Sequence, residues 1–139
     1  MSSKTSLSSN DYVHLHNHTE YSLLDGLTKI NPLMEYVSEK GMSAVAITDH
    51  GTLSGAIEFY KSAKNNKVKP IIGIETYVAA RKHTDKDPAK DKNRFHLILL
   101  AMNDVGYQNL MKLYLDVREM PVVFRLYDWM IKEGINPSY

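Results

Sequence analysis

The chain contains no cysteine in its 139 residues. Disulfides are therefore excluded, and any bound metal must be held by imidazole and carboxylate rather than thiolate. That donor set favours hydrolytic or other divalent-metal chemistry over a thiolate-rich structural zinc site. The chain also lacks an excess of charge: 17 Lys and Arg stand against 16 Asp and Glu, leaving a formal charge of +1. No global field then draws in nucleic acid. No apolar run approaches a membrane span, and the Ser-rich start, Met1 to Asn10, has no apolar signal-peptide core. No repeat is evident beyond an alternation of strand and helix. With 43% hydrophobic and 24% charged residues, the composition predicts a globular protein of the cytoplasm, one small domain or a fragment of a larger one.

What is present is histidine, and it is concentrated. Val13-His14-Leu15-His16-Asn17-His18-Thr19 alternates imidazoles with other residues. In an extended strand, side chains two apart share a face, so His14, His16 and His18 can look the same way. Imidazole nitrogen suits zinc, manganese and iron, and ligands spaced along one rigid backbone lower the entropic cost of a site. A strand edge carrying solvated surface histidines is the alternative for this stretch alone.

In chain order, Tyr12 to His16 reads as a first strand, followed by a loop from Thr19 to Lys29 that contains the turn pair Asp25-Gly26. Asn31-Pro32 predicts a helix start with Asn as N-cap, an apolar face on Leu33 and Val37, and a stop at Gly41. Ala44 to Thr48 is a short apolar run of the kind found in buried parallel strands, and it ends in Asp49-His50-Gly51. A second helix is expected over 54–66, with Ile57, Tyr60 and Ala63 on its period. Pro70 to Ile74 is a third apolar run, closing on Glu75 and extendable through Tyr77 to Ala79. The polar stretch from Arg81 to Arg94 is long for a connection, which marks it as mobile or functional. Phe95 to Met102 is the strongest strand, and Asn103 is placed to cap a third helix through Leu113, with Val105, Leu110 and Met111 inward. Met120 to Gly134 patterns as a further amphipathic helix without evident chemistry.

Alternating strands and helices predict an α/β fold with a largely parallel sheet. Ligand-type residues recur where the strands stop: His16 and His18, then Asp49 and His50, then Glu75. In α/β barrels and open sheets, C-terminal strand ends form the active-site rim. His96 falls at the start of its run, so either that strand runs the other way or His96 enters from the loop.

His16-Asn17-His18-Thr19, Thr48-Asp49-His50-Gly51, Gly73-Ile74-Glu75 and His96-Leu97-Ile98-Leu99-Leu100-Ala101 resemble the PHP (polymerase and histidinol phosphatase) domain. Glu20 to Gly26, Gly55 to Lys61, Lys69 to Gly73 and Gly106 to Leu110 are similar to the N-terminal part of bacterial DNA polymerase III alpha subunits. The similarity runs from about Tyr12 to Leu113. It implies a partial PHP-like domain over 12–113; the Ser-rich start predicts a disordered leader over 1–11, and the departure from the family pattern with a helical apolar period predicts a divergent helical extension over 114–139. The implied architecture is a partial distorted β/α barrel, roughly the first half of a seven-stranded one, with up to three divalent metals (zinc, manganese or iron) at one mouth.

By the same resemblance, His16, His18, Asp25, His50, Glu75 and His96 fall on metal-ligand positions, with Glu75 as the bridging carboxylate. Gly26 would let the turn bring Asp25 close, and a carboxylate offsets the positive charge of an imidazole-rich cluster. Asp49 is the candidate catalytic residue, as a further ligand or as the group that orients His50. His14 is expected to pack or to support rather than to ligate. The family's later motifs, a Cys or His and then Asp-x-His, have no counterpart after His96, and Tyr114-Leu115-Asp116-Val117 replaces a Gly-Phe-Tyr loop.

The resemblance implies phosphoesterase or 3′–5′ exonuclease chemistry within a replicative polymerase. The substrates would be a DNA 3′ end or a small phosphate ester. The implied partners are the rest of the polymerase, whose own active site is not in this chain, and a proofreading exonuclease subunit. The alternative is a truncated, non-catalytic structural or docking fragment of a split polymerase.

Overall fold

The computed structural model describes residues 8, 12–82, 85 and 87–119. The expected leader over 1–11, apart from Ser8, and the helix expected over 120–134 lie outside the described residues. The elements are α1 (Ile30–Glu39), β1 (Ala44–Ile47), α2 (Ala56–Asn65), β2 (Lys69–Ala79), β3 (Arg94–Leu100) and α3 (Asp104–Glu119). They form a mixed α/β unit with one three-stranded sheet in the order β1-β2-β3.

β1 lies parallel to β2, pairing Ala44 with Lys69 and Ile47 with Ile72. β2 and β3 are antiparallel, with Gly73 opposite Leu100 and Tyr77 opposite His96. The expectation of a largely parallel sheet is therefore corrected on one side. The polar stretch after Ala79 turns the chain back on itself as a hairpin, with no crossover helix among the described residues. The first strand expected over Tyr12 to His16 is reduced to a single bridge, His14 with Val45. The segment nevertheless follows β1, because Ala46 N–H donates to His14 O and Thr48 N–H to Asn17 O. Glu75 sits inside the long strand β2 rather than at its end; it faces the site because β1 has already stopped and His50 bridges to Glu75 there.

α1 begins at Ile30 with Lys29 as N-cap and no side-chain cap. Asn31 is thus inside the helix, where its Oδ1 accepts from Ser62 Oγ at 2.7 Å and ties α1 to α2. The buried face of α1 is Ile30, Met34 and Val37, spaced four and three apart. Gly41, at φ 73°, closes the helix. Its N–H donates to Ser38 O, and Met42 N–H donates to Val37 O, a pairing that consumes the last free carbonyls. α2 ends the same way with Lys67, at φ 57°, in the left-handed position; Lys67 N–H donates to Lys64 O and Val68 N–H to Ala63 O.

The inward stripe of α2 is Ala56, Phe59, Ser62 and Ala63, one residue out of phase with the expected Ile57 and Tyr60, which are exposed. Phe59 sets the phase, since it is the largest fully buried side chain. It packs with Ile30, Met34, Val37, Val45, Ile47, Ala63 and Val68 in the main core. A second, smaller cluster joins Leu53, Ile74 of β2 and Leu110 of α3, with Leu99 of β3 packed against it. Of the expected inner face of α3, Leu110 is buried, whereas Val105 and Met111 are exposed. Asn103 caps α3 as expected, its Oδ1 accepting from Gly106 N–H at 2.9 Å. No helix among the described residues is long and apolar enough to cross a membrane.

Candidate metal centre

Three backbone segments converge just beyond the end of β1. The histidine segment comes first. Asn17 fixes it to β1: its Nδ2 donates to Ala46 O at 3.0 Å and its N–H to Thr48 Oγ at 2.8 Å. His16 and His18, on either side of Asn17, both turn toward β2. His16 Nε2 lies 2.6 Å and His18 Nε2 2.5 Å from the same oxygen, Glu75 Oε2. The other oxygen, Oε1, meets His96 Nδ1. Glu75 is thus a fully buried carboxyl group with imidazole partners on both oxygens, as a buried polar group requires. The antiparallel run of β3 resolves the position of His96: it stands opposite Tyr77 and diagonal to Glu75, on the same face of the hairpin.

Asp25 arrives on a tight loop. Thr19 bridges to Thr28, while Ser22 N–H donates to Thr19 O and Gly26 N–H to Ser22 O. A Cβ on Gly26 would lie 2.2 Å from Thr19 O, so only glycine permits this closure. Leu24, at φ 63°, gives the last reversal before Asp25, an uncommon conformation for a residue with a Cβ. The Asp25 carboxylate then contacts His18 Nδ1 and lies 3.4 Å from His50 Nδ1. Ser22 Oγ donates to it at 3.1 Å and accepts from His50 N–H at 3.0 Å. Desolvation acts to raise the Asp25 carboxyl, but the Ser22 hydroxyl and the imidazoles of His18 and His50 outweigh it, holding the group below the ordinary carboxylate value.

All six expected ligand residues are brought together. They fall into three sets: His16, His18 and Glu75; His18, Asp25 and His50; His50, Glu75 and His96. Within each set one donor atom per residue lies within 4.8 Å of the others. The sets interlock through His18, His50 and Glu75. Among the described residues His50 Nε2 is buried without a hydrogen-bond partner, an arrangement that costs free energy unless something else occupies the lone pair or proton. The residues present thus fit a group of divalent cations with nitrogen and oxygen donors.

Two expectations concern residues outside these sets. His14 stays apart, its ring packed edge-on against Tyr12 with centroids 4.6 Å apart. Asp49 is fully buried, and its carboxylate engages Thr19, accepting from the N–H at 2.5 Å and from Oγ at 2.8 Å. Burial pushes the Asp49 carboxyl above its ordinary value, opposed by those two hydrogen bonds. In this place it holds the start of the Asp25 loop rather than the imidazole of His50.

Sequence reasoning missed Asn17, Thr19, Ser22 and Thr48 as the polar frame of the site. Their hydroxyls and amide are ordinary turn chemistry in sequence, and only the fold shows what they hold. It also missed Tyr77, whose ring lies 4.7 Å from that of His50 and 5.0 Å from that of His96.

The family profile of the PHP domain matches residues 14–119. Over 102 residues the chain is 51% identical to the DNA polymerase III subunit alpha of Campylobacter jejuni, and over 111 residues 47% identical to that of Aquifex aeolicus. These alignments cover 73% and 76% of this chain but only 8% and 10% of those proteins, so the chain spans about a tenth of the length of the relatives it matches. Among solved structures, a candidate metal-dependent phosphoesterase from Bifidobacterium adolescentis superposes with a TM-score of 0.53 at 22% identity. That superposition covers 77% of this chain and 33% of the other, and supports the partial β/α-barrel fold. With the match extending over more than half of its length, the chain belongs to the PHP domain family, and its sequence likeness lies with the alpha subunits of bacterial DNA polymerase III.

Proposed function

We propose that the six-residue cluster is a divalent-metal centre for phosphate-ester hydrolysis, of the 3′–5′ exonuclease or a related type, acting on nucleic-acid ends during replication. The observation that carries this is the interlocking of three ligand sets through His18, His50 and Glu75. A single isolated set would suit one structural ion. Shared ligands suit two or three ions close enough to act on one phosphate, as described for two-metal sites.

In this proposal His16, His18, Asp25, His50, Glu75 and His96 are ligands, with zinc, manganese or iron as the metals their nitrogen-rich set suits. Bound cations of this kind polarise a phosphoryl oxygen and lower the pKa of coordinated water. The chain's own part is to place donors and balance charge. Glu75 and Asp25 supply the two carboxylates of a cluster otherwise made of imidazoles. Ser22 and Asp49 fix the Asp25 loop from behind, and Asn17 locks the pitch between His16 and His18.

The partners implied are a DNA 3′ end and, by likeness to polymerase alpha subunits, the remaining polymerase polypeptide and a proofreading exonuclease subunit. The test is cleavage of a 5′-labelled single-stranded oligonucleotide by chelator-treated protein resupplied with manganese or zinc. Stepwise shortening from the 3′ end that disappears in Glu75→Gln is expected. Metal-independent cleavage, or cleavage unchanged in Glu75→Gln, contradicts the proposal.

A further inference from the structure

The face of the β2–β3 hairpin that carries the cluster continues beyond it. In the antiparallel register Glu75 stands opposite Ile98, Tyr77 opposite His96 and Ala79 opposite Arg94. Residues directly opposite share a face, so Tyr77 and Arg94 follow Glu75 and His96 outward toward the hairpin loop. Tyr77 and Arg94 are diagonal neighbours, and the Arg94 guanidinium lies over the Tyr77 ring, 5.7 Å from its centroid. The same ring packs against the imidazoles of His50 and His96. One aromatic ring therefore separates the guanidinium from two residues of the cluster.

The two arginines at the base of this loop differ in what they hold. Arg81 gives Nε and Nη2 to the two oxygens of Asp91, each at 2.7 Å, and its Nη1 faces Asp85 at 3.6 Å, so it is engaged by carboxylates. Among the described residues Arg94 has no carboxylate within ion-pair distance, and it is exposed. A guanidinium held by a cation–π contact keeps its donors free while losing part of its rotational freedom. Its planar fork matches two oxygens of a phosphate.

We propose that Arg94, positioned by Tyr77, is a subsite for a second phosphate of a single nucleic-acid strand whose neighbouring phosphate lies at the cluster. This rests on the phosphoesterase proposal for the strand's orientation, but Arg94 binds a phosphate whether or not the cluster turns over. The open setting supports a polymer over a small ester: the His96 side chain is 57% exposed and the His16 side chain 54%, so the cluster lies along a surface that a strand can follow. A simple monoester has no second phosphate to present to Arg94. The substrate class is thus set by a residue outside the ligand sets.

The test is fluorescence anisotropy of a labelled oligothymidylate with the full 139-residue chain, across a salt series, with metal titrated calorimetrically in parallel. Arg94→Ala is expected to weaken oligonucleotide binding about tenfold, the scale of one charge-assisted hydrogen-bonded pair. It should also flatten the plot of log affinity against log salt by about 0.7, one phosphate contact on a single strand. Arg94→Lys should restore the salt slope but only part of the affinity. Tyr77→Leu should cost less than Arg94→Ala and add nothing to it in the double variant, as expected of a positioning residue. Lys64→Ala, an exposed charge on α2, should change neither quantity. Wild-type metal affinity is expected in Arg94→Ala.

Equal affinity and slope for wild type and Arg94→Ala would overturn the subsite, as would no oligonucleotide binding by wild type or an equal loss in Lys64→Ala. Arg94-dependent binding in a protein that takes up no metal would sink the hydrolytic proposal and leave the subsite standing.

Discussion

The two sides of the sheet are built on different terms. Under β1, every strand residue is buried, and α1 and α2 close over a core centred on Phe59. Along β3, no strand residue is fully buried, and among the described residues the buried cluster on that side is Leu53, Ile74 and Leu110. The proposed metal centre straddles this seam. His16, His18, Asp25 and His50 come from the densely packed side, His96 from the thin side, and Glu75 from the strand between them. Most of the ligand geometry is therefore fixed by a core that does not include β3. His96 depends on the register of one hairpin.

The largest difference should appear between the two cores. Phe59→Ala should cost about 3–5 kcal/mol of stability in urea unfolding, the range for large-to-small changes at fully buried aromatic sites. Leu110→Ala should cost about 2 kcal/mol, the low end for buried leucine, because its cluster has few walls to hold a cavity open. Equal costs would show that the two sides are packed alike.

A smaller effect should appear at the loop that joins the packed side to the site. Gly26→Ala puts a Cβ 2.2 Å from Thr19 O, and overpacking of this kind costs about 1–3 kcal/mol. The same shift moves Asp25 off His18 and His50, so metal affinity should fall together with stability. A variant that loses stability but keeps wild-type metal affinity would show that Asp25 is not held by this closure.

Smaller again is the contrast between the two helix ends. α1 and α2 finish on the same hydrogen-bond pattern, one with Gly41 and the other with Lys67 in the left-handed position. Lys67→Gly should raise stability by up to about 1 kcal/mol, and Gly41→Ala should lower it by about as much. No gain from Lys67→Gly in thermal unfolding would mean that Lys67 pays no conformational penalty there.

The least effect belongs to the hairpin loop on the thin side. The Arg81 hydrogen bonds hold the Asp91 carboxyl below its ordinary value, against desolvation and with further help from Asp87 N–H. A carboxyl depressed in the folded state contributes stability that is present above its unfolded value and lost as pH falls through the folded one. Amide protection in the loop, taken as the intrinsic exchange rate over the measured one at each pH, should therefore fall only below about pH 4, and Asp91→Asn should show the low protection at every pH. Protection that is lost near neutral pH would point to another group.

How much of this could be read in the sequence divides along the same seam. On the packed side, the apolar run at Ala44 to Ile47, the stop at Gly41 and the alternation of His16 and His18 each carry a local signal, and each appears in the structure. The phase of α2 did not follow its apolar spacing, because Ile57 and Tyr60 offered as good a stripe as Ala56 and Phe59 until the core chose between them. The start of α1 was misplaced because Asn31-Pro32 looks like a cap, while Asn31 serves Ser62 on α2 instead. The direction of β3 was open, since strand periodicity carries no sign. The convergence of Asp25 and His96 on the cluster was implied by family resemblance alone. Their spacing in the chain says nothing about a loop closed on Gly26 or a hairpin paired through Tyr77 and His96.

Calorimetric titration with manganese or zinc shows whether the six side chains form one divalent-metal centre. The wild-type chain should bind metal with an affinity on the order of micromolar, since ligands such as His16 and His96 stand exposed. That binding should vanish in the His16→Ala, His18→Ala double variant, fall sharply in Asp25→Ala and be unchanged in His14→Ala. No binding by the wild-type chain, or a loss in His14→Ala with none in Asp25→Ala, would contradict that centre.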